Sequence, residues 1–222
     1  MQYTVKRIAP QSSFPAGFND GIWGSIPELE IANVHAASSA HCPDSRAKCA
    51  CDGENLYLFF EIKDQYLNAV HKNWNDPVCQ DSCVEFFVMP GNGSYINFET
   101  NCIGNMLASH VTDWRRINGT GPLAECKMFI EEDFNRIRIF PSLKAPVEDV
   151  SEKVDWRMGL IIPLDLIRKY IPEADAASGK VWKANFYKCG GMKGYGHYLS
   201  WNPVAEELNF HRPDCFGSLI FE

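Results

Sequence analysis

The sequence has no run of apolar residues near the roughly 20 that a bilayer-spanning helix needs, so no membrane partner is expected. It has no surplus of positive charge: 21 Lys and Arg stand against 28 Asp and Glu, a formal net charge of −7 at pH 7. Phosphate binding relies on clustered Lys and Arg, so a nucleic-acid partner is excluded as well. No G-x-G-x-x-G, P-loop or G-x-S-x-G motif occurs. No Cys/His pair stands in a recognisable protease context. Leu, Ala, Glu and Lys do not dominate, which argues against a helical bundle. The opening Met1–Lys6 carries no secretory h-region. The nine cysteines are an odd number, and most sit in apolar runs, as at Cys83, Cys102 and Cys126. Both features predict a reducing, cytoplasmic setting with most thiols free. The sequons at Asn92-Gly93-Ser94 and Asn118-Gly119-Thr120 then carry no glycan.

What the chain does have is aromatic side chains and alternation. Its 222 residues include 14 Phe, 8 Tyr and 6 Trp, a load that suits strands or a surface that stacks on flat ligands. Period-two alternation recurs throughout. In Asn55–Asp64, Leu56, Leu58, Phe60 and Ile62 face one way and Tyr57, Phe59 and Glu61 the other. Cys83–Met89 is an apolar run with one charge, Glu85, and ends at the turn signal Pro90-Gly91-Asn92-Gly93. Ser94–Asn101 is its return strand. Arg136–Phe140, Met158–Ile162, Val181–Tyr187, Tyr198–Trp201 and Ser218–Phe221 complete the set. One helix is predicted from Pro163 to Tyr170, on the spacing of Leu164, Ile167 and Ile171. Cys42–Cys51 and Ser109–Pro122 read as long loops. The glycine-rich run from Cys189 to Gly196 joins two strands and reads as a hairpin connection. The pattern predicts one all-β domain over residues 1–222: a two-sheet antiparallel, jelly-roll-like β-sandwich with one short helix.

The most informative strand is the one carrying Tyr95, Asn97, Glu99 and Asn101 on one face, with Ile96 and Phe98 turned toward a core. Such a row is either a donor and acceptor platform or a solvated outer sheet face. Asn is depleted in ordinary strands, which weighs toward the platform. Glu85 lies beside this row if the hairpin forms. Trp74 and Phe210 are large aromatics set in polar loops, each covering either its own domain or a ligand. Trp23, Trp156, Trp182 and Trp201 read as core. Asp81 with Glu85, or Glu85 with Glu99, has the functional groups for acid–base glycoside cleavage. Cys42, Cys49 and Cys51 with His35 and His41 have atoms for zinc, but C-x6-C-x-C matches no common zinc motif. Asp20, Asp52, Glu54, Asp64 and Asp76 leave calcium open without a defined site.

Taken in order, several segments resemble the family 9 carbohydrate-binding modules. These are Asp52-Gly53-Glu54-Asn55-Leu56-Tyr57-Leu58 with Lys63-Asp64, then Gln80-Asp81-Ser82-Cys83-Val84-Glu85-Phe86-Phe87-Val88. Ser200-Trp201-Asn202-Pro203 and Phe210-His211-Arg212-Pro213 with Phe216-Gly217 follow. The resemblance implies a β-sandwich that binds sugars between two aromatic side chains, in a family whose members often carry calcium. By the same resemblance, Phe210 stands where the family has a stacking Trp, and Trp74 lies in the loop that supplies the other. Glu85 matches a sugar-binding acid, and Asn97 and Glu99 fall near a polar pair. The chain departs from the family in using Phe at one stacking position, in the longer spacing from Trp74 to Glu85, and in Glu99 where an Arg is expected. The expectation is a non-catalytic binder of a mono- or oligosaccharide, with hydroxyls bonded by Glu85, Asn97, Glu99 and Arg212. The rivals are a glycoside hydrolase built on the same carboxylates and a protein-interaction domain.

Overall fold

The computed structural model describes residues 1–91, 93–119 and 121–222. Asn92 and Thr120, one residue of each sequon, lie outside them, as does the centre of the Pro90–Gly93 turn. The chain is mostly β. Its strands are β1 (Gln2–Arg7), β2 (Leu29–Glu30), β3 (Asn33–Val34), β4 (Asp44–Cys51), β5 (Asn55–Asp64) and β6 (Leu67–Ala69). After these come β7 (Cys83–Met89), β8 (Tyr95–Asn101), β9 (Met106–Arg116) and β10 (Leu123–Met128). A short helix α1 (Glu131–Phe134) leads to β11 (Arg138–Pro141), β12 (Val147–Val150) and β13 (Val154–Pro163). Helix α2 (Leu164–Tyr170) precedes β14 (Val181–Gly190), β15 (His197–Ser200) and β16 (Gly217–Phe221).

The strands form one large curled sheet, ordered β10-β9-β8-β7-β14-β16-β1-β4-β5-β13-β11, while β12 and β6 make a small separate pair. β1 joins the two halves of the curl. It pairs parallel with β16 through Gln2–Val5 and then parallel with β4 through Lys6 and Arg7. This departs from the antiparallel expectation: the first strand changes partner midway, which alternation along one strand cannot reveal. The two halves face each other across the main core. Leu56, Leu58, Phe60 and Ile62 of β5 meet Val84, Phe86 and Val88 of β7 and Ile96 and Phe98 of β8 in one cluster. Tyr57 and Phe59 serve a second cluster with Trp23 on the other face of β5. Trp156, Trp182 and Trp201 are core residues, as expected.

Two segments read as loops are strands. Asp44–Cys51 pairs along its length with β5, and its Ala47, Cys49 and Cys51 enter the main core. Its composition is poor in β-branched and aromatic residues, so burial on both sides rather than propensity holds it extended. Met106–Arg116 pairs with β8 and β10. A second helix, α1, was not foreseen. It is only four residues long, too short for a periodic signal, and carries Glu131, Glu132 and Asp133 in its first turn, where the helix dipole favours them. α2 matches its expected span and buries Leu164, Leu166 and Ile167. No helix among the described residues is long and apolar enough to cross a membrane.

Candidate functional site

The site grows from the pairing of β14, β7, β8 and β9. Their antiparallel register sets Tyr187 opposite Glu85, Glu85 opposite Glu99, and Glu99 opposite Leu107. One row over, Asn97 lies opposite Phe87 and Ser109. The alternate residues Phe86, Phe98 and Phe186 point to the core, which turns this polar row to the outer face. That face is not solvated. Tyr95, Asn97, Glu99 and Asn101 are all buried, and Glu85 is only 3% exposed. Two segments cover it through hydrogen bonds. Asn101 Nδ2 donates to Asp81 Oδ2 at 2.8 Å and to the His71 carbonyl at 3.0 Å. From the far end of the chain, Tyr187 Oη donates to the Phe210 carbonyl at 3.1 Å. His211 Nδ1 pairs with Tyr95 Oη at 2.7 Å.

Between cover and sheet a cavity of about 290 Å³ remains. Its polar wall comprises Glu85, Glu99, Arg116, Gln80 and Asn209, and its apolar wall Phe210, Tyr198 and Leu208. Phe210 lies flat on Tyr187, with ring centroids 4.1 Å apart and planes 11° from parallel, and Tyr198 meets it edge-on. Cys79, Cys189, Gly191 and His211 complete the lining.

The electrostatics follow from burial. Glu85 is held well above the usual carboxylate range, first by desolvation and then by the neighbouring Cys189 and Glu99. It accepts the Cys189 thiol at 3.1 Å. Burial also raises Glu99, to about 7, although the Asn97 amide donates to it at 3.0 Å and Arg116 stabilises its charge. His211 Nε2 comes within 3.9 Å of Glu99. Burial, assisted by Arg116, pushes His211 down to about 3, so the ring is neutral near pH 7 and the contact is not an ion pair. The wall therefore offers groups that both donate and accept, beside a flat aromatic face.

The structure thus brings Glu85, Glu99 and Phe210 to one cavity and sets Asn97 directly behind Glu99. Asn97 is itself fixed by the Ser109 hydroxyl. Trp74 and Arg212 are elsewhere. The half-exposed Trp74 ring stacks on Phe134 of α1 at 4.7 Å, because the 71–82 segment carries it toward the helix. Arg212 is engaged by Asp214 through two hydrogen bonds, of 2.9 and 2.6 Å, and lies over Trp114. Arg116, Tyr198 and His211 were not singled out in the sequence. Arg116 ends a strand that read as a loop, and Tyr198 reads as an ordinary strand aromatic.

The acids considered for calcium do not gather. Asp52 accepts from the amides of Glu54 and Asn55 and from Tyr57. Asp76 accepts from the amides of Lys72 and Asn73, and Asp20 from that of Gly17. Asp64 faces Lys188 Nζ at 3.1 Å and His41 Nε2 at 2.8 Å. The residues with atoms for zinc are likewise split: Cys49 and Cys51 are buried in the core and Cys42 is exposed. Cys126, in a run that reads as apolar, is exposed because β10 lies at the sheet edge.

The model of carbohydrate-binding family 9 matches residues 25–221. The chain belongs to this family. A crystal structure of a provisionally assigned carbohydrate-binding protein from Bacteroides uniformis ATCC 8492 is similar over 100% of this chain and 99% of that one, with 28% identity and a TM-score of 0.83. A family 9 module from Caldicellulosiruptor kristjanssonii, solved with cellotriose, matches with a TM-score of 0.64 and 14% identity, over 100% and 94% of the two chains. The module from the same organism solved with glucose gives 0.61 and 15%, over 100% and 96%. These last two establish likeness of fold. No curated protein sequence matches the chain.

Proposed function

We propose that this protein binds a mono- or oligosaccharide, without transforming it, in the cavity between the β7–β8 face and residues 208–211. One observation carries the reading. Glu85 and Glu99, opposed on adjacent strands, share a cavity with Phe210, which arrives from more than a hundred residues away in sequence. A sugar ring has apolar C–H faces and a rim of hydroxyls. The faces would lie on Phe210 with Tyr198 beside it, and the hydroxyls would bond Glu85, Glu99 and Arg116. Asn97 is a positioning residue that holds the Glu99 carboxylate. Trp74 and Arg212 have no ligand contact in this reading, since Phe134 and Asp214 occupy them. The curled sheet serves as a two-layer sandwich whose outer face presents the site.

A few net hydrogen bonds of about 1 kcal/mol each, added to stacking, correspond to roughly millimolar to micromolar affinity. The experiment is a calorimetric titration with glucose and cellotriose, the sugars bound by the C. kristjanssonii modules, followed by product analysis. Saturable heat with no product supports the reading. Release of glucose from cellotriose would establish a hydrolase instead, and no heat with these or a wider sugar panel would remove the carbohydrate reading.

A further inference from the structure

Below the floor of the cavity, three potential metal ligands come together. Cys83 on β7 stands directly opposite Cys189 on β14. Glu85 is two residues along from Cys83, hence on the same face of the strand. The two sulfurs and a Glu85 carboxylate oxygen all lie within 4.8 Å of one another. All three side chains are at most 3% exposed. Among the described residues no Lys or Arg forms an ion pair with Glu85, although the Lys188 charge favours the Cys189 thiolate and its ammonium donates to the Cys189 carbonyl at 2.8 Å. Lys188, the next residue on β14, points to the other face, where its ammonium sits 3.1 Å from Asp64 and 2.6 Å from His197. That second group of His41, Asp64 and His197 is equally tight, but the lysine already provides its positive charge. The Cys83, Glu85 and Cys189 group has two thiols and a carboxyl, with no ion pair to any of them among the described residues.

We propose that Cys83, Cys189 and Glu85 form a binding site for a thiophilic divalent metal ion of the zinc class. In a tetrahedral zinc site, metal–sulfur bonds of about 2.3 Å and metal–oxygen bonds of about 2.0–2.2 Å set ligand atoms roughly 3.5–3.8 Å apart. The Cys189 sulfur and Glu85 oxygen, 3.1 Å apart, reach that spacing by opening slightly, and the other pairs by closing no more than about 1.3 Å. Thiolate with carboxylate suits zinc and cobalt better than calcium or magnesium, which prefer oxygen alone. Glu85 and Cys189 both line the cavity, so the ion enters from there and solvent takes its fourth position. On binding, each thiol releases its proton to solvent as a metal–sulfur bond forms, and Glu85 releases any proton it holds to solvent as its carboxylate forms the third bond. No electron is transferred. The site shares Glu85 with the sugar cavity but is argued independently of the carbohydrate reading, and its test uses no sugar.

The whole chain, reduced and freed of metal by a chelator, is titrated anaerobically with cobalt(II). A thiolate-to-cobalt charge-transfer band should grow to saturation at one equivalent and collapse when zinc is added. Cys83→Ser and Cys189→Ser should each weaken cobalt binding at least tenfold, whereas Cys126→Ser, on the exposed edge strand, should leave it unchanged. Because either core substitution risks misfolding, X-ray absorption on zinc-loaded wild-type protein gives an independent count. Two sulfur neighbours and two lighter ones are expected. Absence of the band, its survival in both serine variants, or a count other than two sulfurs would overturn the proposal.

Discussion

Glu85 and Glu99 stand directly opposite each other across the β7–β8 ladder, both buried and both titrating above the normal carboxylate range. Two like charges so placed are costly, so the pair retains at least one proton around neutral pH. A protonated carboxyl beside an ionised one can donate to one sugar hydroxyl and accept from another. Glu85→Gln and Glu99→Gln should each lower sugar affinity about five- to tenfold, the worth of one charge-assisted hydrogen bond. Melting temperature should stay within a few degrees or rise, since a buried ionisable group is replaced by a neutral amide of the same shape. Calorimetry and thermal melting on the same samples check both parts; undiminished affinity in both variants would show that these carboxyls do not touch the ligand.

Phe210 contributes a flat face to the cavity and rests its other face on Tyr187. Phe210→Ala should weaken sugar binding by about 1 kcal/mol or more, roughly fivefold upward. It should also cost a few degrees of melting temperature, because the Tyr187 ring loses its partner. Phe210→Trp should keep or improve affinity. An alanine variant that binds as wild type would rule out stacking at this position.

Three further substitutions separate the cavity from its surroundings. Arg116→Ala should weaken sugar binding several-fold, since Arg116 is the one arginine on the cavity wall among the described residues. Arg212→Ala and Trp74→Ala should leave affinity within twofold. Trp74→Ala should instead lower stability by roughly 0.5–1.5 kcal/mol, the range for an aromatic pair, through loss of its stack on Phe134. Parallel titrations of the three proteins decide the matter; a large affinity loss for Trp74→Ala would move the binding surface toward α1.

Much of this architecture is legible in the chain where alternation is strong and turn residues bound it. Asn55–Asp64 and Cys83–Met89 are strands over those very spans. The row of Tyr95, Asn97, Glu99 and Asn101 is likewise readable as one face. Its burial is not, because that depends on the distant segments around Asp81 and His211 folding over it. Asp44–Cys51 has no strand signature for a related reason: a strand paired on both edges needs neither alternation nor β-branched residues to stay extended. The place of Arg116 depends on a strand whose sequence reads as a loop, and that of Lys188 on its partner Asp64, which lies on another strand. Spacing along the chain reports which residues share a face, while the charge balance of a site is set by what arrives from elsewhere.

His197 offers a test of buried charge away from the cavity. Its Nε2 lies 2.6 Å from the Lys188 ammonium, Nδ1 is 3.0 Å from the Tyr195 carbonyl, and its ring meets His41 edge-on. Burial first, then the Lys188 charge, push its pKa down to about 3, although Asp64 nearby works in the opposite sense. The unfolded chain takes up the same proton near pH 6.5. Between those values the unfolded state holds more protons than the folded one, so stability falls as pH drops from about 6.5 toward 3. Asp64 adds to the decline at its acid end: burial alone would raise its pKa, but Lys188 and the His41 hydrogen bond outweigh that and depress it, so its contribution is lost as pH falls below about 3.9. The raised Glu85 and Glu99 act with the opposite sign, which makes a wild-type curve alone ambiguous. His197→Gln isolates the effect, because glutamine can still accept from Lys188 but cannot take up a proton. The margin in melting temperature of wild type over His197→Gln should shrink by several degrees between about pH 7 and pH 4. A margin that stays constant across that range would mean that His197 is not kept neutral by the fold.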